Sequence, residues 1–99
     1  MTKKTYYVDI DNTICQTIGN FYEDAIPYPE NIEKINKLFD AGNIIIYWTA
    51  RGNTSGKDLW LFTHNQITKW GCRFNSLLMN KPSFDYIIDD RAIKIEELC

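Results

Sequence analysis

Residues 44–48 read Ile-Ile-Ile-Tyr-Trp. Successive side chains of an extended chain point to opposite faces, so a run of five large apolar residues cannot sit on a half-exposed strand without cost. Residues 43–48 are therefore expected to form a strand buried on both faces of a sheet. Such a strand needs packing layers above and below it, and its neighbours in sequence have the patterns to supply them. Ile32, Ile35, Leu38 and Phe39 recur at three- and four-residue steps before it, which predicts a helix over residues 29–41, with Pro29 and Glu30 in its first turn and Gly42 as its stop. Leu59, Phe62, Ile67 and Trp70 predict the inner face of a second helix over 57–70, closed by Gly71.

Three further strands are expected. Residues 5–10 are β-prone and stop at Asp11-Asn12, residues 75–79 form a short run, and residues 84–88 end at Asp89-Asp90. Residues 13–28 lack periodicity and read as a loop or small hairpin, residues 49–56 as a polar, Gly-rich loop, and 92–98 as a terminal helical turn or two. Strands alternating with helices at this spacing imply a three-layer α/β/α sandwich on a mainly parallel, Rossmann-like sheet. A chain of 99 residues hides roughly 65% of its unfolded surface on folding, enough for one core, so residues 1–99 are read as a single domain. No second, cap-like domain fits.

Charge and cysteine content narrow the function classes. Eleven basic and thirteen acidic residues give a net charge of −2, and the basic ones are scattered, with no stripe to track a duplex backbone. The longest apolar run is far short of a bilayer span. The charged start of the chain is not followed by an apolar segment of the secretory kind, so a cytoplasmic protein is expected. Cys15, Cys72 and Cys99 have irregular spacing and no CxxC pair, and read as reduced thiols.

The chemistry lies at the strand ends. In open parallel sheets, sites form at the carboxyl edge of the strands, and three of the four expected strands deliver polar residues there: Asp9 and Asp11, then Thr49, then Asp89 and Asp90. Asp9 and Asp11 fall on the same side of an extended chain. Two carboxylates so close repel unless a cation joins them or one is protonated. With Mg²⁺ present, one can act as nucleophile and its neighbour as proton donor. A calcium loop is excluded, because its sixth and twelfth positions hold Ile14 and Asn20 where Gly and Glu are required. Asp89 and Asp90 suit a hard cation, although Asp90 also suits a helix cap. Thr49 can hold a phosphoryl oxygen, and Lys81, kept extended by Pro82, can aim a charge at an anion.

With those residues in order, the chain resembles the haloacid dehalogenase (HAD) superfamily of aspartyl-phosphate phosphohydrolases. Asp9-Ile10-Asp11-Asn12-Thr13 is similar to the DxDxT signature, residues 44–49 to the hydrophobic strand ending in Thr, Lys81 to the third-motif lysine, and Ile87-Ile88-Asp89-Asp90 to the closing acidic strand. The likeness runs from Tyr6 to Ala92. A narrower one, through Thr49-Ala50-Arg51-Gly52 and residues 81–90, is to small bacterial phosphatases of capsule and surface-sugar biosynthesis.

The resemblance implies a Mg²⁺-dependent phosphomonoesterase. Asp9 would be the nucleophile, Asp11 the acid and base, and Thr49 and Lys81 the holders of the phosphoryl group. Asp9, the Asp11 carbonyl and Asp89 would bind the metal, with Asp90 in support. It also implies a central Asp9 strand flanked by the Thr49 and Asp89 strands. The chain departs from the family in having no room for a cap and in lacking the usual last strand. An open site of this kind suits large substrates, or small ones such as a sugar phosphate enclosed by a neighbouring subunit. Loss of the last strand leaves edge protection open.

Other residues divide between site and scaffold. Arg51 can grip a substrate anion or close a loop salt bridge, and Asn12 can contact substrate or simply turn the chain. Tyr22, Tyr28 and Trp48 can wall a sugar or serve packing. His64 reads as solvated and Cys15 as a buried inert thiol. Two other functions fit the same residues: a polynucleotide-end or phosphoprotein phosphatase, and a non-catalytic phospho-acceptor or binding module.

Overall fold

A computed structural model describes residues 3–98, so Cys99 lies outside the described residues. Strand β1 (Thr5–Val8) is followed by a small antiparallel pair, β2 (Cys15–Gln16) and β3 (Ile26–Pro27), with one 3₁₀ turn (Tyr22–Asp24) between them. Helix α1 (Pro29–Asp40), strand β4 (Ile44–Trp48), helix α2 (Trp60–Lys69) and strand β5 (Ser76–Leu78) complete the regular elements, apart from a second 3₁₀ turn at Ile95–Glu97. The main sheet is parallel, in the order β1-β4-β5, with Val8 opposite Tyr47 and Tyr47 opposite Leu77. Among the described residues this is an α/β fold with a three-stranded parallel sheet and two α-helices.

Each helix is the crossover between adjacent parallel strands, β1 to β4 and then β4 to β5, stepping the same way across the sheet. Right-handed crossovers that step in one direction put both helices on one face. The core agrees. Val8, Ile45, Tyr47 and Leu77 from one sheet face pack with Ile32 and Ile35 of α1 and Ile67 of α2 in a single buried cluster. The opposite face carries Tyr7, Ile44, Ile46, Trp48 and Leu78, all half-buried or exposed. The expectation that β4 is buried on both sides is therefore corrected: within this chain one face is covered and the other carries no helix among the described residues.

Several boundaries differ from the sequence expectation, each for a local reason. Strand β1 ends at Val8, because Ile10 O accepts the N–H groups of Thr13 and Ile14 and turns the chain there. Helix α2 begins at Trp60 instead of residue 57, where Asp58 Oδ1 accepts the Trp60 N–H. Its buried positions are Thr63 and Ile67, while Phe62 is exposed. His64 is not simply solvated. It stacks on Trp60 with ring centroids 4.8 Å apart and meets Phe74 edge-on at 5.5 Å.

The largest correction concerns residues 84–88, which form no strand. Residues 82–94 are exposed throughout, and the chain regains its own core only at Ile95 and Leu98. Of the terminal helical turn or two expected over 92–98, one 3₁₀ turn is present, at Ile95–Glu97.

Cys15 and Cys72 are free and buried, the burial being expected from the sequence for Cys15. Burial beside Tyr47 pushes the Cys72 thiol from its usual value near 9 up to about 11. A thiol that ionises more readily in the unfolded chain draws the equilibrium towards unfolding in alkali. This part of the stability is complete below pH 9 and falls away as pH rises towards 11. Alkaline denaturation curves should show the loss, and Cys72→Ala should flatten it relative to its own stability at pH 7.

Candidate active site

The turn after β1 is built by its own polar residues. Asn12 adopts φ 63°, a left-handed conformation that Asn tolerates better than most residues, and its Oδ1 accepts the Thr17 N–H at 3.1 Å. Asn12 is accordingly a turn-forming residue, and its amide oxygen is engaged within the loop. With Ile10 fully buried, Asp9 stands at the carboxyl end of β1 and is partly open to solvent, its side chain 37% exposed.

Asp9 is held from both sides. Its Oδ2 accepts the Thr13 hydroxyl at 3.0 Å, and its Oδ1 pairs with Lys81 Nζ at 3.2 Å. Lys81 is fixed at the other end too, since its backbone N–H donates to the Thr49 carbonyl at 3.1 Å. Its ammonium also lies over the Trp48 and Phe84 rings. Residues 9, 13, 49 and 81 thus meet at the carboxyl edge of β1 and β4. Thr49 is buried, and its Oγ1 accepts the Arg51 N–H at 3.1 Å.

Asp11 has a different environment. The Arg51 side chain is fully buried and clamps it, with Nη2 to Oδ1 at 2.8 Å and Nε to Oδ2 at 3.0 Å. The Thr17 hydroxyl adds a 2.6 Å bond to Oδ1. The remaining Arg51 nitrogen donates to Gln66 Oε1 at 2.7 Å, and the guanidinium lies 4.6 Å from the centre of the Tyr22 ring. A guanidinium is suited to such a planar, two-toothed grip. Arg51 is therefore a scaffold residue that ties the loop after β4 to the loop after β1 and to α2. Of the two roles the sequence leaves open for Arg51, the structure shows the loop salt bridge. Tyr22 likewise packs on Arg51, and burial together with the charge of Asp11 pushes its hydroxyl above its ordinary range. Cys15 Sγ lies 3.8 Å from Asp11 Oδ1, and burial raises that thiol as well.

Asp89 and Asp90 are not brought to Asp9. Both are exposed. Asp89 Oδ1 accepts the Arg91 N–H at 2.9 Å, which holds its carboxyl below the usual range, and Asp90 lies 4.0 Å from the Arg91 side chain. Among the described residues, no three His, Cys, Asp or Glu side chains are placed to share a metal ion. The ligand set implied by the resemblance is therefore not assembled within one chain.

Thr13, Thr17 and Gln66 are the site residues that sequence reasoning missed. Thr13 stands in the DxDxT segment and had a signal; Thr17 and Gln66 had none, because only folding brings them to Asp11 and Arg51. A cleft of about 460 Å³ lined by Gly52, Asn53, Lys57, Met79 and Asn80, among others, opens on the loop after β4, but Asp9 does not line it. Gly52 shapes that loop. Its φ is +87°, and a Cβ there would collide with the Lys57 carbonyl oxygen. Gly52→Ala should lower stability by about 2–3 kcal/mol, the cost of a strained backbone conformation added to the displacement of the loop, as read from urea denaturation.

A crystal structure of a target protein from Vibrio cholerae is similar in fold, with a TM-score of 0.84 at 24% sequence identity, over 97% of this chain and 86% of that one. No protein-family model and no curated protein matches the chain. No helix among the described residues is long and apolar enough to cross a membrane.

Proposed function

We propose that the chain is a phosphomonoester hydrolase of the HAD type, working through an aspartyl-phosphate on Asp9. The observation that carries this reading is the meeting of Asp9, Thr13 and Lys81 at one sheet edge, 72 residues apart between Asp9 and Lys81. A nucleophilic carboxylate, partly open to solvent and facing an ammonium, suits attack on a phosphate ester. Phosphoryl transfer needs mainly positioning and neutralisation of charge on the equatorial oxygens.

In the proposed reaction an Asp9 carboxylate oxygen bonds to phosphorus as the ester oxygen leaves, taking its proton from Asp11. Water then attacks the phosphorus of the acyl-phosphate, giving a proton back to Asp11. Phosphate and the free Asp9 carboxylate result. Lys81, released from Asp9 Oδ1 as that oxygen engages the substrate, would neutralise the phosphoryl oxygens. Arg51 grips both Asp11 oxygens and Thr17 adds a bond to Oδ1, so proton transfer through Asp11 uses Oδ2, the less occupied oxygen, and requires it to leave the Arg51 Nε. Among the described residues one chain does not gather three carboxylates for Mg²⁺; the ion, when held at Asp9, would add to the neutralisation of the phosphoryl oxygens.

The full three-layer HAD sandwich, Mg²⁺ dependence and a sugar phosphate as substrate belong to the same proposal. Phosphate release from a panel of phosphomonoesters, with Mg²⁺ and with EDTA, tests it. Release from at least one ester supports the reading, and the ranking of esters points to the leaving group. No release from any ester by folded protein sinks it.

A further inference from the structure

Residues 84–88, Phe-Asp-Tyr-Ile-Ile, have the composition of a strand and yet make no sheet. Phe84, Tyr86, Ile87 and Ile88 are all exposed, Ile88 at 99%, and together they make a contiguous apolar stretch of the kind that marks an interaction surface. Nor are they the frayed end of the chain, since Ile95 and Leu98 beyond them pack against its core and Lys34 Nζ donates to the Ile95 carbonyl. Residues 82–94 therefore form a projecting loop anchored at both ends.

The sheet has a matching deficiency. Among the described residues β1 pairs only with β4, so its other edge presents unpaired N–H and C=O groups, and Tyr7 beside it is 59% exposed. The total accessible surface is 7052 Å², whereas a monomeric chain of this size should expose roughly 5,800 Å². The excess of about 1,200 Å² exceeds the roughly 800 Å² that each partner of a stable complex buries.

The loop cannot cover β1 of its own chain in parallel register. Lys81 is pinned at the carboxyl edge by its bonds to Thr49 and Asp9, and Phe84 is only three residues further on. Three residues span at most about 11 Å. A parallel strand with Asp89 level with Asp9 must begin about 16 Å lower, near the foot of β1, before any sideways distance is added. An antiparallel strand would be within reach but would carry Asp89 to the wrong end of the sheet.

We propose that two copies of this chain exchange their projecting loops, residues 84–88 of each lying as a parallel strand on the open β1 edge of the other. Asp89 of the partner subunit then comes to Asp9, and each site is completed by both chains. The choice of an exchanged parallel strand over an antiparallel one within the chain rests on the proposed phosphatase site, which places Asp89 beside Asp9, whereas the association and strand protection that follow from it are measured without any activity. Short hinge loops under strain invite such exchange, and Asn80-Lys81-Pro82 is a short one, with Asn80 in the left-handed region at φ 65°.

Sedimentation and amide hydrogen exchange on the wild-type chain test the exchange without any assay of activity. The expected result is a dimer, or a multiple of one, in which amides of residues 84–88 exchange at least 100-fold more slowly than those of residues 53–56. A monomer, or an assembly in which residues 84–88 are unprotected, overturns the proposal. Ile88→Asp alters a side chain that is free in the single chain, so it should weaken association at least 100-fold while the circular dichroism of the monomer is kept. Unchanged association also overturns it.

Where wild-type protein releases phosphate, equal amounts of Asp9→Asn and Asp89→Asn chains, each inactive, are refolded together. Half of the dimers are then mixed and hold one intact site, so activity should return to about a quarter of wild type. No return, from mixed dimers shown to form, would mean that each site uses its own chain and would overturn the exchange. A protein that dimerises with protected residues 84–88 but hydrolyses no ester removes the enzymatic reading and leaves the exchange standing.

Discussion

Asp9→Asn should abolish phosphate release, lowering turnover by roughly 10⁴-fold or more, the scale seen when a covalent nucleophile is removed. The fold should survive it. Asn keeps the shape of the side chain and an oxygen that can still accept the Thr13 hydroxyl, now 3.0 Å away. What is lost is the ion pair to Lys81, and Asp9 is open enough to solvent for that pair to count for less than about 1 kcal/mol. The variant should therefore match wild type in circular dichroism and in denaturation midpoint while releasing no phosphate. Substantial residual turnover would remove Asp9 as nucleophile. A large fall in the midpoint would mean that Asp9 serves the fold and not a reaction.

Arg51→Met should have the opposite signature, a large effect on stability. The guanidinium is fully buried and joins three parts of the chain: Asp11 in the loop after β1, the loop after β4, and Gln66 on α2. Methionine fills much of the volume but leaves the Asp11 carboxylate in a largely enclosed place with no opposite charge. Removing one partner of such a pair costs about 3 kcal/mol, the lower end of the usual range because Asp11 keeps some access to water. For a chain of this length that corresponds to a fall in melting temperature of roughly 15 °C. Arg51→Lys should recover little, since one ammonium cannot grip Asp11 and Gln66 together. The double variant Arg51→Met with Asp11→Asn should regain part of the loss, because the uncompensated charge is gone. If the double variant is as unstable as the sum of its parts, the clamp is not the source of the effect.

The two substitutions separate the halves of the DxD segment. Asp9 faces solvent, Lys81 and Thr13, while Asp11 faces Arg51 and Thr17. The difference matters for reading motifs of this kind. Two carboxylates two residues apart share one side of an extended chain, but β1 ends at Val8 and the turn at Ile10 gives each its own surroundings.

Local pattern carried the elements whose neighbours in sequence are also their partners in space. The three- and four-residue spacing of Ile32, Ile35 and Leu38 dictated α1, because those side chains share a face whatever they pack against. The apolar run at 44–48 dictated a strand, and its place between two helical patterns dictated parallel pairing. The same pattern located Asp9 and Thr49 at one edge, since strands that run parallel end on the same side, but it placed Asp89 and Asp90 there too, and within the chain they do not come to it.

Whether an element finds a partner is not a local property. Residues 84–88 are as apolar and as β-prone as β1, and nothing in their composition tells a strand from a projecting loop. The tertiary structure decided that, and the three-residue reach from a pinned Lys81 bars a parallel strand on β1 of the same chain. It also decided that β4 has one bare face, because both crossovers step the same way across the sheet. And it assigned Arg51 to the scaffold, since a guanidinium reads identically in sequence whether its fork meets a substrate or the carboxylate of Asp11, and only the fold brings that carboxylate within 2.8 Å.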